Sequence, residues 1–409
     1  MNPQPSHELK RTLSLTLVTF YGIGTILGAG IYVLVGKVAG YAGMYALVSF
    51  LLASILAGFS AFSYAELSAR FPKSAGEAVY IERAFFRRRL SIVVGLLIVL
   101  VGVVSTATLV HGFVGYLKVF VDWPDVLVII AVVALMAAIV VWGIGQSVWV
   151  ATIMTIAEIA GLLLILWVAR EGFVQLPVRS HELLPGWDAG IWTGILLGAF
   201  VAFYAFIGFE DIVNVAEEVR QPERNLPRAI IIALVVTTLF YILIAMVSIL
   251  IVSPQQLASS DAPLAMLYQQ VTGQSPMVIT FISLASVLNG ALIQIIMASR
   301  VLYGMGRQGW LPSRLGAVHG VTRTPVVATV LVAGLILLFS LALPLLSLAK
   351  LTSFITLTIF SLINLALWRI KRRDGAHGVQ FIIPLWVPVC GFFSSLAFLM
   401  FQIIYFLRA

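Results

Sequence analysis

Apolar residues run in long unbroken stretches along this chain, and polar residues collect in the short gaps between them. Stretches able to cross a bilayer cover about residues 13–35, 42–65, 90–117, 126–145, 147–169, 191–214, 228–252, 277–299, 325–345, 347–368 and 380–407. A crossing takes roughly 20 apolar residues as a helix. In hydrocarbon the backbone must satisfy its own hydrogen bonds, which leaves helices or a closed barrel. These stretches lack the apolar and polar alternation of barrel strands. The pattern predicts an all-α polytopic membrane protein of eleven spans. Adjoining spans meet most tightly at Gly145 and around Leu345, where there is almost no polar connection.

Composition agrees. Of 409 residues 61% are hydrophobic and only 10% charged, and the mean hydropathy is +1.06. Too few polar groups exist to coat a water-soluble particle, so one membrane domain filling residues 1–409 is expected, with no soluble domain. The N-terminal MNPQPSHELKRTLSL has no small-residue cleavage signature after its apolar stretch, so the first span is expected to be retained. Cys390 stands alone and five His are scattered. Neither an intrachain disulfide nor a metal cluster is expected, and no cofactor.

Charge sets the orientation. With the N-terminus cytoplasmic, nineteen of the 25 Lys and Arg fall in connections on the inner side, ten of them in residues 70–89 and 369–373. The outer side keeps Lys37, Lys118, Arg170, Arg179, Lys350 and Arg408. This asymmetry predicts a multi-pass protein of the cell membrane whose N-terminus is cytoplasmic and, with eleven spans, whose C-terminus is outside. The net charge of +8 then faces anionic lipid headgroups, and no nucleic-acid partner is needed to explain it.

Function belongs where the spans are imperfect. Span one carries Gly22, Gly24, Gly28 and Gly30 within nine residues, each costing a helix about 1 kcal/mol relative to Ala. A break at Gly28 to Gly30 would present free N–H groups at the positive end of a half-helix, suited to a carboxylate. Alternatively, Gly24 and Gly28 form a small-residue packing face. Span six carries Gly208 followed by Glu210 and Asp211, with apolar helix on both sides. Acids inside a span cost about 2.5–3.5 kcal/mol on insertion scales, so they mark a second break or pair with bases near a helix end. Spans one and six hold the same place in two sets of five, which is how inverted-repeat transporters reveal their site.

Three stretches then resemble the amino acid, polyamine and organocation permease superfamily. They are Gly24-Thr25-Ile26-Leu27-Gly28-Ala29-Gly30-Ile31-Tyr32, Gly208-Phe209-Glu210-Asp211 through Glu217-Glu218 to Arg228, and Arg300 to Tyr303 with Arg307 to Pro312. The loop Pro72 to Tyr80 is similar to that family's loop after helix two. The resemblance implies the five-plus-five inverted-repeat fold of the leucine transporter, with helices one and six discontinuous. Repeat one would cover about 13–169, repeat two about 191–368, and an extra helix 380–407. It also implies an amino acid substrate. In the family, backbone N–H groups of the first break hold the α-carboxylate, which maps to Ala29, Gly30 and Ile31; carbonyls of Tyr204, Ala205 and Ile207 would hold the α-ammonium. Thr25, Gly28 and Gly208 complete the predicted site, with Phe206 and Phe209 as aromatic wall or gate. Many relatives have twelve helices, whereas this chain shows eleven.

Ion coupling is assigned to Glu158, near the middle of span five, with no Lys or Arg in spans four and five before Arg170. A desolvated acid without a partner suits a proton that leaves and returns. Several proton-coupled members of the resembled family carry a lysine at about this place, where a sodium ion sits in other members of the fold. That departure leaves three roles open: proton symport, a sodium site aided by Ser283 and Ser286, and a structural pair. Glu210 is a second coupling candidate. Thr106, Thr108, His111, Ser353 and Thr356 offer polar contacts, or bond within their own helices; Asn289 and Gln294 extend a polar path, or pack. Glu217, Glu218, Arg220, Arg224, Arg228, Arg300 and Arg307 are candidates for an inner ionic latch, or form a solvated face. Small or apolar neutral amino acids are the expected substrates, with cationic amino acids or polyamines and simple exchange as alternatives. An enzyme would need a metal pair or nucleophile elbow, a primary pump a P-loop, and a channel a filter loop; the chain has none of these motifs.

Overall fold

The computed structural model describes residues 11–74, 76–118, 120–121, 123–260, 262–375 and 379–408. Eleven helices account for the predicted spans: α1 Leu15–Ala42, α2 Ala46–Arg70, α3 Arg88–Leu117, α4 Asp125–Trp142, α5 Ile144–Val168, α6 Ala189–Ala205, α7 Pro222–Ile251, α8 Met277–Arg307, α9 Val326–Ala342, α10 Leu345–Asp374 and α11 Trp386–Arg408. Local chemistry sets several of their ends. The Ser14 hydroxyl caps α1 by accepting from the Leu17 N–H, and the Asp188 carboxylate caps α6 by accepting from Gly190 and Ile191. α7 starts on Pro222, whose missing N–H costs a first helical turn nothing. The 56-residue apolar run Leu15–Arg70 is two helices rather than one, because Gly43 takes a φ of 59° and turns the chain. The turn between α4 and α5 falls at Gly143, two residues before the predicted Gly145.

α1 outruns its predicted end by seven residues for a physical reason. Lys37 stops the apolar run, but its Nζ donates to the Ala258 carbonyl at 3.1 Å. Gly36 and Gly40 lie so close to Leu257 and Ala258 that a Cβ on either would overlap them. The end of α1 is thus roofed by the short helices Pro254–Ser259 and Pro263–Thr272 rather than by lipid.

α1 packs against α5, α6, α7 and α8, and α8 lies along α3. α8 is the most enclosed span and α11, on the outside against α10 and α2, the least. Leu127, Ile153, Leu239 and Phe281 are each about three-fifths exposed, on outer faces that in a bilayer meet lipid. Trp123, Trp142, Trp167 and Trp386 stand exposed near helix ends, where amphipathic rings suit the headgroup level.

Two joints hold the N-terminal side of the bundle. Leu13 forms a short parallel bridge with the segment after α6, its N–H donating to Glu218 O at 3.0 Å while its carbonyl accepts from Arg220 N–H at 2.9 Å. The fully buried Glu66 of α2 accepts from Arg70 at 2.6 Å, from Lys371 of α10 at 2.8 Å, and from the Ile383 N–H ahead of α11 at 2.9 Å. A buried carboxylate so fully satisfied offsets its desolvation.

Candidate substrate and coupling site

Both predicted breaks are present. Within α1 only Gly28 departs from helical geometry, with φ 5° and ψ −138°. After Ala205 the chain leaves helical form, passes Gly208 at φ +134°, and resumes only for Asp211–Asn214. That φ favours glycine, and a Cβ at Gly208 would also lie 2.6 Å from Thr25 Cγ2. The two breaks therefore touch. At Gly30 a Cβ would lie 2.8 Å from Ala205 Cα and 3.1 Å from the Tyr241 hydroxyl. Tyr241 of α7 joins them, its hydroxyl donating between the carbonyls of Ile26 and Ala205, 2.8 Å from the latter.

Between the breaks lies a cavity of about 20 Å³ lined by Thr25, Ile26, Gly30, Tyr204, Ala205 and Ile207, closed by Ser105 and Leu109 of α3 and Gly290 and Gln294 of α8. Its volume suits about one water, so an amino acid enters only when helices part. Five predicted substrate residues line it: Thr25, Gly30, Tyr204, Ala205 and Ile207. Gly28 sits behind, its carbonyl accepting from Ser286 at 2.8 Å. Ile31 is buried off the cavity wall, and the Ala29 side chain lies outside the described residues. Phe206 packs edge-on against Tyr241, with centroids 5.0 Å apart. Phe209 packs edge-on against Tyr64 and tilted against Phe360, and neither Phe206 nor Phe209 walls the cavity in this conformation.

The coupling candidates fall in two places. Glu158 is completely buried beside the α1 break. Its Oε1 accepts from Asn289 at 3.2 Å, and the same amide donates to Thr155 at 3.0 Å. Its Oε2 has no hydrogen-bond partner, and no cation pairs with it among the described residues. Gly24 makes this approach possible, since a Cβ there would strike both Thr155 and Asn289. Ser286 belongs to this group, but the Ser283 hydroxyl is turned onto Ile279 O of its own helix at 2.8 Å. Glu210 faces elsewhere: its Oε2 accepts from the Gly208 N–H at 2.8 Å, and it lines a separate crevice of about 10 Å³ with Asp211, Thr356 and Phe360. Gln294, which lines the central cavity, donates to Asp211 at 2.5 Å and so links that cavity to the crevice beside Glu210.

The secondary candidates divide as follows. Thr106 and Thr108 bond to carbonyls four residues back in α3. Ser353 is buried, and His111 Nε2 and Thr356 Oγ1 have no hydrogen-bond partner among the described residues. Of the latch set, Glu218 and Arg300 form a buried pair at 3.3 Å, and Glu217 accepts from the Ser74 N–H at 3.3 Å. Arg220, Arg224, Arg228 and Arg307 make no ion pair among the described residues.

Comparison with known proteins gives the arrangement its family. The amino acid permease profile matches residues 12–407. The chain belongs to the amino acid permease family. It is 30% identical over 391 residues to the branched-chain amino acid permease BcaP of Bacillus subtilis (strain 168), covering 90% of this chain and 82% of that one. To the vacuolar cationic amino acid transporter 2 of Arabidopsis thaliana it is 31% identical over 347 residues, 79% of this chain and 54% of that longer protein. Its fold matches a Na+-coupled sialic acid symporter in a substrate-bound outward-open state, with a TM-score of 0.65 at 15% identity, over 95% of this chain and 89% of the other. This permease is thus a multi-pass membrane transporter of amino acids, and its relatives are carriers rather than enzymes.

Sequence reasoning missed Tyr241 and Ser105. Tyr241 reads as one more aromatic in an apolar span, and only the meeting of two breaks gives its hydroxyl a task. Ser105 lies in the same turn as the noticed Thr106 and Thr108, yet it is the one whose hydroxyl leaves the helix, 3.2 Å from the Tyr204 hydroxyl.

Proposed function

We propose that the permease takes up small or apolar neutral amino acids by alternating access, drawing one proton inward with each substrate through Glu158. The observation that carries this is the buried Glu158 Oε2, without a cation among the described residues, on a carboxylate whose other oxygen accepts from Asn289, one helix turn from the Ser286 that bonds the Gly28 carbonyl. A proton neutralises such an acid without filling space, and its departure leaves a charge the site must open to hydrate. The carboxylate of a substrate would meet N–H groups of Ala29, Gly30 and Ile31, and its ammonium the carbonyls of Tyr204, Ala205 and Ile207. Because Tyr241 already occupies the Ala205 carbonyl, the ammonium would displace that hydroxyl on binding. The cavity lining offers no Lys, Arg, Asp or Glu, which fits neutral side chains. The halves 13–169 and 191–368 act as two repeats around this site, with the N-terminus cytoplasmic and the C-terminus outside. The test is uptake of labelled neutral amino acids into proteoliposomes: an inward proton gradient should drive accumulation and an uncoupler should collapse it.

A second reading is sodium coupling, favoured by Ser286 bonding the Gly28 carbonyl beside Glu158. It predicts uptake that requires sodium and ignores a proton gradient. Cationic substrates find less support, because Glu210 turns its carboxylate to its own backbone rather than to the cavity.

A further inference from the structure

A polar cavity lies apart from the central site, on the side of the molecule where the chain begins. It measures about 440 Å³ and is walled by Arg11 ahead of α1, Lys73 and Ser74 after α2, Glu82 and Arg83 of the connecting helix Gly76–Phe85, Glu217 after α6, and Tyr303 and Arg307 of α8. A volume of this order accepts a small ligand. Four side chains are cationic and two are anionic. The cations are exposed, and none of the four pairs with an acid among the described residues. Arg83 instead lies over the Phe71 ring, 5.8 Å from its centroid. Glu217 is held by the Ser74 N–H at 3.3 Å. Ser74 Oγ, on a residue 2% exposed, has no hydrogen-bond partner among the described residues and sits in the cavity wall. A buried hydroxyl without a partner costs free energy that a ligand oxygen would recover.

We propose that this cavity binds a phosphate-bearing anion, held by Arg11, Lys73, Arg83 and Arg307 with the Ser74 hydroxyl. A dianion cancels the two-charge excess, and guanidinium groups suit phosphate oxygens. The wall draws on the start of α1, the turn after α2, the tail of α6 and the end of α8 at once. A ligand touching all four favours the conformation that holds them together, so the anion acts as a brake on opening at this side. This site does not depend on which amino acid or coupling ion the central site uses.

Soluble phosphate and a lipid phosphodiester share this chemistry, and one experiment separates them. The purified full-length permease is melted with inorganic phosphate in detergent, against chloride at equal ionic strength, and in nanodiscs of phosphatidylcholine with or without phosphatidylglycerol. Saturable stabilisation by either phosphate source is expected, with affinity falling about fivefold for each of Lys73→Gln and Arg307→Gln. Arg314→Gln, a basic residue near the same side but outside the wall, should respond as wild type. Response to phosphate in detergent identifies a soluble ligand, and response only to phosphatidylglycerol a headgroup. Both variants change exposed side chains and should fold; should one fail, Ser74→Ala reads the same site. Equal responses in all variants, or no difference from chloride and from pure phosphatidylcholine, would overturn the proposal.

Discussion

In the proposed mechanism, coupling rests on a single oxygen of Glu158, the buried Oε2 without a hydrogen-bond partner among the described residues. Glu158→Gln keeps an amide able to bond Asn289 but can carry no exchangeable proton, so proton-driven accumulation should disappear while substrate binding persists. Substrate counterflow should survive, because exchange need not move the proton; proteoliposome uptake and counterflow read the two separately, and wild-type accumulation in this variant would make the carboxylate structural. Glu77 offers a different test, outside the spans. Burial pushes its carboxyl up to about 8, opposed by its own backbone N–H and the Asn214 amide. A folded value above the unfolded one means that the folded protein binds the proton more tightly. This contribution to stability is therefore full below the usual carboxylate range and lost as pH rises through about 8. Melting temperature should fall as pH rises from about 4.5 to about 8 and level off above that in the wild type, and fall less in Glu77→Gln. A parallel decline in both would show that another group titrates. Glu158 was legible as a lone acid in an apolar span; Glu77 was not, because nothing local shows that Asn214 and the α6 tail will bury it.

The breaks in α1 and α6 show what an element's sequence can and cannot reveal. Glycines and acids inside apolar runs were legible because hydrocarbon punishes both, and so were nearly all the spans. The contact between the breaks was not, since it depends on Tyr241 of α7 reaching across two chains of carbonyls. Tyr241→Phe should lower stability by about 1–3 kcal/mol, the cost of leaving a buried carbonyl without its donor, seen as a lower melting temperature that substrate partly restores. No loss would mean that the hydroxyl joins nothing. Gly30→Val forces a branched side chain against Ala205, so it should abolish substrate binding in a thermal-shift titration, with Gly30→Ala milder. Undiminished affinity would remove the substrate carboxylate from this break. Helix length was the other thing hidden: α1 continues past Lys37 because that ammonium finds a carbonyl under a protein roof, a circumstance hydropathy cannot register.

At the scale of the whole molecule, orientation rests on charge. In a Cys390→Ser background, single cysteines placed at 73 or 373 should react with an impermeant maleimide only from the cytoplasmic face; reaction of both from outside would invert the topology. The bridge that ties Leu13 to the segment after α6 bears on practice as well. The first described residues are strapped to the segment that follows the α6 break, while α11 lies at the rim with little buried surface. A fluorescent reporter or purification handle spliced to the front of the chain would therefore pull on a strap that reaches the candidate site. The same cargo at the far end would load a helix that touches only the outside of the bundle, and transport should be disturbed less there, which uptake by the two fusions compares.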